Sequence, residues 1–281
     1  MSTVNHFGSS DQGRVRFKNE DYILSRYPEE EDVRRKKGSL FIVADGVGGH
    51  GAGDVASREA CEDFVTTYYA SPWRPDRAMK SAFGHANTKV FDIGVETNRL
   101  HMQTTFSAMV IVGSQVHVCH AGDTRIYRVR GSSKIELLTQ DHSEVAELVK
   151  MNILSPEKVR NHPRRSIITR SLGSQPVVMP MFRTYDILVG DIFVMCTDGV
   201  WEPVEESQIA SVAVTYPPDQ ACEKLIQMGL DGQSTDNLSV QVVRVLTVED
   251  NDAAAVNTGG WWRRLFKRKK TEEATGSTLC N

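Results

Sequence analysis

Apolar residues in this chain come in short runs parted by glycine-rich or charged breaks. The run Leu40-Phe41-Ile42-Val43 has the length of a buried strand and leads directly into Asp45-Gly46. Helical character begins at about Asp54. From Ala56 to about Val95 the pattern predicts two helices, parted at Ser71-Pro72-Trp73-Arg74-Pro75, where proline stops one and starts the next. From Thr104 the pattern becomes that of strands: TTFSAMVIVG, QVHVCHAG, TRIYRVRG and KIELLT. The pairs Gly113-Ser114, Gly122-Asp123 and Gly131-Ser132 act as separators, which predicts an antiparallel meander. Upstream, residues 1–24 carry a short strand signal followed by RVRFKNEDYIL. The charged PEEEDVRRKKG, Pro28 to Gly38, predicts an exposed hairpin loop. Downstream, residues 141–173 read as polar and helical with Pro156 and Pro163 as interruptions. Strands follow at MFRTYDILV and DIFVMCTDG, then a helical region from about Pro203 to Gly229, and a last strand at LSVQVVRVL. Strands, a helix pair, strands, then helix and strand again indicate an α+β fold and not a βαβ repeat.

Patterning ends near Leu246, so residues 1–246 are expected to form the domain and 247–281 a linker and tail. With 33 basic and 36 acidic residues, net −3, the chain offers no overall electrostatic case for nucleic acid. No run approaches the roughly 18 apolar residues of a membrane span, and MSTVNHFGSSDQGR lacks the apolar core of a signal peptide. The five cysteines form no CxxC pair, and Cys119 and Cys196 fall in apolar strand-like runs where a buried thiol is expected. A reducing, cytoplasmic setting fits this usage.

Candidate chemistry gathers where strands end. Gly48, Gly49, Gly51 and Gly53 crowd behind Asp45, either to let the backbone approach a ligand or as a plain β-to-α connection capped by Asp54. The glycines match neither the dinucleotide fingerprint nor a Walker A loop. Asp198 ends FVMCTDG, Asp123 ends VHVCHAGD, Asp236 precedes LSVQVVRV, and Glu20-Asp21 adjoins YIL. One strand-end Asp is ordinarily a turn residue. Several, two of them in Asp-Gly pairs after apolar runs, predict convergence at one end of stacked sheets. Carboxylates that share a site repel unless a cation neutralises them. An all-oxygen set favours Mg²⁺ or Mn²⁺ over Zn²⁺, and two such ions roughly 3.5–4 Å apart activate water and clamp a phosphoryl group. Arg16 is the planar cation suited to phosphate oxygens, with a surface salt bridge as its plainer role.

In this order, GRVRFKNED (13–21), VADGVGGHGAGDVAS (43–57), TTFSAMVI (104–111), AGDTRIYRVR (121–130), LTQDHS (138–143), ITRSLG (168–173), CTDGVWE (196–202) and TDNLSVQVV (235–243) resemble the metal-dependent protein phosphatases of type 2C in their bacterial form. The resemblance covers about residues 5–246. It implies a four-layer α-β-β-α sandwich of two antiparallel sheets flanked by helices, with two Mn²⁺ or Mg²⁺ ions in a cleft at one end. It further implies that Asp45 bridges both metals, that Gly46 donates its carbonyl to one, and that Asp198 and Asp236 complete the other. Glu20 would act at the metals directly or through water, with Asp21 beside it, and Arg16 would bind the substrate phosphate. Asp123 would join Asp198 at a weaker third metal, and Ser143 to Arg170 would form a flap that affects substrate choice. The implied activity is hydrolysis of phosphoserine and phosphothreonine on proteins by direct attack of metal-activated water, opposing bacterial Ser/Thr kinases.

Animal members carry a histidine after the metal-binding Asp-Gly, where this chain has Val47. The leaving-group acid is therefore open, with His50 a weak candidate. Asp141 and His142 read as a capped turn before a helix, not as catalytic residues. Outside the resemblance, Trp261 to Lys270 mixes aromatic and basic residues in the manner of a short segment drawn to anionic lipid at the inner membrane surface, with a solvated basic tail, or one that docks on a partner or on the catalytic domain, as the plainer reading. Two other classes compete: an inactive phosphate- or partner-binding module, and a two-metal nuclease, against which the near-neutral charge argues.

Overall fold

Strand β3 (Ser39–Val47) shows how the molecule is layered. Its even positions Leu40, Ile42 and Ala44 face one apolar cluster and its odd positions Phe41 and Val43 face another, as the period of two requires. Both faces are buried, which explains an unbroken apolar run in place of alternation. The computed structural model describes residues 2–47, 52–99, 101–132, 134–155, 158–159 and 162–249.

The remaining elements are β1 (Thr3–Asp11), β2 (Asp21–Arg26), α1 (Glu31–Lys37), α2 (Gly53–Ala70), α3 (Pro75–Glu96), β4 (Gln103–Thr104), β5 (Phe106–Val112), β6 (Gln115–Ala121), β7 (Arg125–Arg130), β8 (Lys134–Leu137), α4 (Glu144–Lys150), β9 (Met181–Asp186), β10 (Ile192–Cys196), α5 (Asp198–Trp201), α6 (Glu206–Thr215), α7 (Pro218–Asp231) and β11 (Leu238–Thr247). One antiparallel sheet runs β1-β11-β10-β7-β8. The other runs β2-β3-β5-β6-β9, with β4 paired to β3. Phe41, Met109 and Val118 from one sheet meet Phe193, Met195 and Val243 from the other in the central layer. Leu40, Ile42 and Phe106 pack under α2 and α3, while Val194, Val240 and Val242 pack under α6 and α7. The result is the expected α-β-β-α sandwich.

Three local expectations need correction. Residues 28–38 are not an exposed hairpin loop: α1 forms there, with Glu31 and Asp32 in its first turn and four basic residues in its last, the arrangement the helix dipole favours. Its Lys37 is buried, donating to the Trp73 carbonyl at 2.8 Å. Residues 104–137 are not one meander. β5 and β6 form a hairpin in one sheet, β7 and β8 in the other, and Gly122-Asp123-Thr124 carries the chain across. That crossing is buried, and its polar atoms are met by others: Ser107 Oγ lies 2.7 Å from Thr124 Oγ1, and Trp201 Nε1 donates to the Asp123 carbonyl. Within residues 141–173, α4 is the α-helix. Its cap is Ser143, whose Oγ accepts from the Ala146 amide, not Asp141.

Among the described residues no helix is long and apolar enough to cross a membrane. The segment Trp261 to Lys270 lies outside the described residues, as do Gly48, Gly49, His50 and Gly51.

Candidate active site

Antiparallel register builds the first part of the site. Asp21 at the start of β2 lies opposite Asp45 near the end of β3. Asp198 opens α5 directly after β10, and Asp236 sits just before β11, which pairs with β10. The crossing between sheets adds Asp123. Asp21 and Asp123 are buried, whereas Asp45, Asp198 and Asp236 are half-buried. The five aspartates among the carboxylates named from strand ends thus do meet at one end of the sandwich.

Their electrostatics reflect that crowding. Burial first, then the charges of Asp21, Asp198, Asp123 and Asp236, push the Asp45 carboxyl well above the ordinary carboxylate range. Asp198 is raised well above it too, by burial and then by Asp123 and Asp236. Asp21 rises to about 7 through burial, although the Ser239 and Thr197 hydroxyls oppose the shift. Asp123 rises to about 7 through burial and then Asp141. One oxygen on each of Asp21, Asp123 and Asp198 is buried without a hydrogen-bond partner, a costly state for a carboxylate that nothing neutralises. No three His, Cys, Asp or Glu side chains among the described residues form a ready-made ion cage.

The backbone beneath is held tightly. The Asp45 amide donates to Thr105 Oγ1 at 2.9 Å, and its carbonyl accepts from the Thr105 amide at 2.8 Å and from Thr104 Oγ1 at 2.9 Å. Gly46 passes so close to the start of α2 that a Cβ there would stand 2.6 Å from the Glu20 carbonyl oxygen and closer still to Gly53. A Cβ on Gly53 would likewise meet the Gly46 carbonyl oxygen at 2.6 Å. Gly46 and Gly53 serve this contact between β3 and α2. Glu20 does double duty: its carbonyl accepts from the Gly46 amide and Ser57 Oγ, and its carboxylate accepts from the Gly53 amide at 3.2 Å. Asp54 does not cap α2 but pairs with Lys18 at 2.6 Å.

Arg16 reaches Asp236, with Nη2 and Oδ2 2.6 Å apart, its side chain still half exposed. The surface ion pair, the plainer of the two expectations for Arg16, is the contact the structure shows. A cavity of about 770 Å³ beside them is lined by Arg16, Asp198, Asp236, Glu202 and Arg165. Arg165 belongs to the expected flap and pairs with Glu202 at 2.9 Å. Asp141, outside that cavity's wall, is held in a bidentate pair with Arg125 at 2.7 Å, and the Arg125 guanidinium stacks 3.6 Å from the Trp201 ring.

Sequence reasoning missed Asn237. Its side chain accepts from the Glu20 amide at 2.9 Å and donates to the carbonyls of Gln12 and Lys18 at 2.8 and 3.0 Å, so it ties three stretches of the site together. Its place inside TDNLSVQVV was the available signal. Thr104 and Thr105 were likewise in view only as the start of a strand.

Comparison with known proteins agrees with this architecture. The family model of protein phosphatase 2C matches residues 19–225. The chain belongs to that family, and with it to the metal-dependent serine/threonine protein phosphatases. It is 31% identical over 239 residues to protein phosphatase PhpP of Streptococcus pneumoniae, covering 83% of this chain and 94% of that protein. It is 28% identical to the serine/threonine protein phosphatase PstP of Mycobacterium tuberculosis, covering 89% of this chain and 46% of PstP. The crystal structure of the PstP catalytic domain in complex with two manganese ions superposes with a TM-score of 0.76 at 26% identity, over 88% of this chain and all of that one.

Proposed function

We propose that the chain removes phosphoryl groups from serine and threonine on proteins at the carboxylate cleft, with two Mn²⁺ or Mg²⁺ ions held there. The observation that carries the reading is the group of five aspartates, Asp21, Asp45, Asp123, Asp198 and Asp236, three of them with a buried oxygen lacking a partner. An all-oxygen donor set suits these hard cations, which keep waters and take backbone carbonyls alongside few carboxylates. That preference agrees with the lack of a closed side-chain cage among the described residues. Asp45 and the Gly46 carbonyl would hold one ion, and Asp45, Asp198 and Asp236 the other, with Asp123 available to a third.

Bound there, such a pair supplies activated water at neutral pH and charge neutralisation for the transferring phosphoryl group. The protein's part is positioning. Arg16, exposed on one side of its pair with Asp236, turns a forked guanidinium toward phosphate oxygens. Thr104 and Thr105 fix the Asp45 backbone, so its carboxylate direction is set before substrate arrives. Arg165 and Ser166, from the expected flap, line this cavity, and would bear on which polypeptides fit. The natural counterparts are bacterial Ser/Thr kinases, whose products this activity reverses. A cytoplasmic location fits that role, with the segment from residue 261 to 270 touching a partner or an anionic membrane surface.

The test is release of phosphate from a phosphothreonine peptide by the full chain, with Mn²⁺ and then with excess EDTA. Turnover in Mn²⁺ that EDTA abolishes is the expected result. A folded, Mn²⁺-loaded protein that leaves the peptide intact would overturn the reading in favour of a binding module.

A further inference from the structure

Near the carboxylate cleft lies a second cavity, of about 500 Å³, whose wall contains none of the five aspartates of the cleft. Four cations line it: Lys80 of α3, Lys150 of α4, Arg170, and Arg183 of β9. Among the described residues none of the four has a carboxylate at ion-pairing distance. Of the two acids in the wall, Asp141 is taken by Arg125 in a bidentate pair. Glu147 is the other, so the cavity keeps a positive excess.

A conflict of hydrogen bonds points to what the excess is for. The Gly122 amide donates to His142 Nδ1 at 3.2 Å, so that nitrogen accepts and the ring proton sits on Nε2. Yet Arg170 Nη1, always a donor, stands 3.1 Å from the same Nε2. Burial first, then His120 and Arg170, push the ring pKa down to about 3, so the imidazole is neutral with one proton. Within the protein, donor faces donor. An acceptor placed in the cavity meets both N–H groups at once and removes the conflict.

We propose that this cavity binds a phosphate-class anion, held by the Arg170 guanidinium and the His142 Nε2–H and drawn in by Lys80 and Arg183. The anion is either free inorganic phosphate or a second phosphoryl group on a multiply phosphorylated polypeptide, and both present the same oxygens. Lys80 is steadied for this by the Phe182 ring, 4.7 Å from its Nζ. Occupancy bears on the cleft, because His142 donates its amide to the Gly122 carbonyl at 2.7 Å, one residue from Asp123. The site does not depend on the reading of the carboxylate cleft, and the test keeps the two apart.

Inorganic phosphate is titrated into the full chain in EDTA, which keeps divalent ions out of the cleft, while the His142 ring is followed by NMR. A saturable shift of the Nε2 resonance is expected. Lys80→Ala with Arg183→Ala, both exposed positions, should weaken it at least about tenfold, because two of the four cations that attract the anion are gone. Arg16→Ala should leave it unchanged. No saturable shift, a shift indifferent to the double variant, or one abolished by Arg16→Ala would overturn the proposal. A second arm identifies the source, using Mn²⁺-loaded protein and phosphothreonine peptides with and without a distal phosphotyrosine. If the double variant raises KM for the doubly phosphorylated peptide alone, the occupant is the substrate's second phosphoryl group. If it changes KM for neither peptide while the titration holds, the occupant is free phosphate.

Discussion

Asn237 is where a single side chain does most to hold the site. Three backbone groups from Gln12, Lys18 and Glu20 depend on its amide, and it is buried. Unmaking a buried hydrogen bond costs about 1–3 kcal/mol for each group left without a partner. Asn237→Ala is therefore expected to cost roughly 2–4 kcal/mol, a drop in Tm on the order of 10 °C for a domain of this size. Thermal melts followed by circular dichroism check this, and a drop under about 2 °C would show that water replaces the amide. The contrast with Asp236 next door shows what a sequence exposes. A carboxylate at a strand end advertises chemistry by its charge, and all five aspartates were named in advance. An asparagine whose partners are backbone groups more than 200 positions away leaves no local trace.

At the scale of elements, the site depends on how closely β3 and α2 pass. Gly46→Ala places a methyl carbon 2.6 Å from the Glu20 carbonyl oxygen and closer to Gly53, so backbone and not a flexible tip must move. Overpacking of this kind costs about 1–3 kcal/mol even against side chains. The expected outcome is a lower Tm together with weaker Mn²⁺ binding by calorimetry. A variant that keeps wild-type affinity would mean the contact is not what sets the ligand geometry. The helix pair and the strands were legible because periodicity is a local property, whereas the two-sheet sandwich came from the family resemblance. Two elements were misjudged for the same reason. The charge order of residues 31–37, acids before bases, builds α1, yet composition alone suggested a loop. Gly122-Asp123 looks like a hairpin turn locally, and only the pairing of β7 with β10 reveals that the chain changes sheets there.

For the whole molecule, the crowded carboxylates tie stability to pH and to cations. Asp21 and Asp123 both have folded pKa values near 7, above the roughly 4 of an unfolded aspartate. The folded state then binds more protons, so this contribution is full below about pH 4 and is lost as pH rises through 7. The depressed pKa values of His120 and His142 act in the opposite sense below about 6.5, but they are common to cation-loaded and cation-free protein. Mn²⁺ cancels the carboxylate repulsion alone. The rise in Tm on adding Mn²⁺ to EDTA-treated protein should therefore grow from pH 5 to pH 8; a constant or shrinking increment would place the ions elsewhere. Asp45 is proposed to hold the cations that drive hydrolysis. The most direct test is kcat/KM for a phosphothreonine peptide with Asp45→Asn in saturating Mn²⁺, on protein shown to be folded. A loss well beyond the roughly 10–100-fold typical of residues that only stand behind a metal ligand is expected. Activity within tenfold of wild type would contradict it.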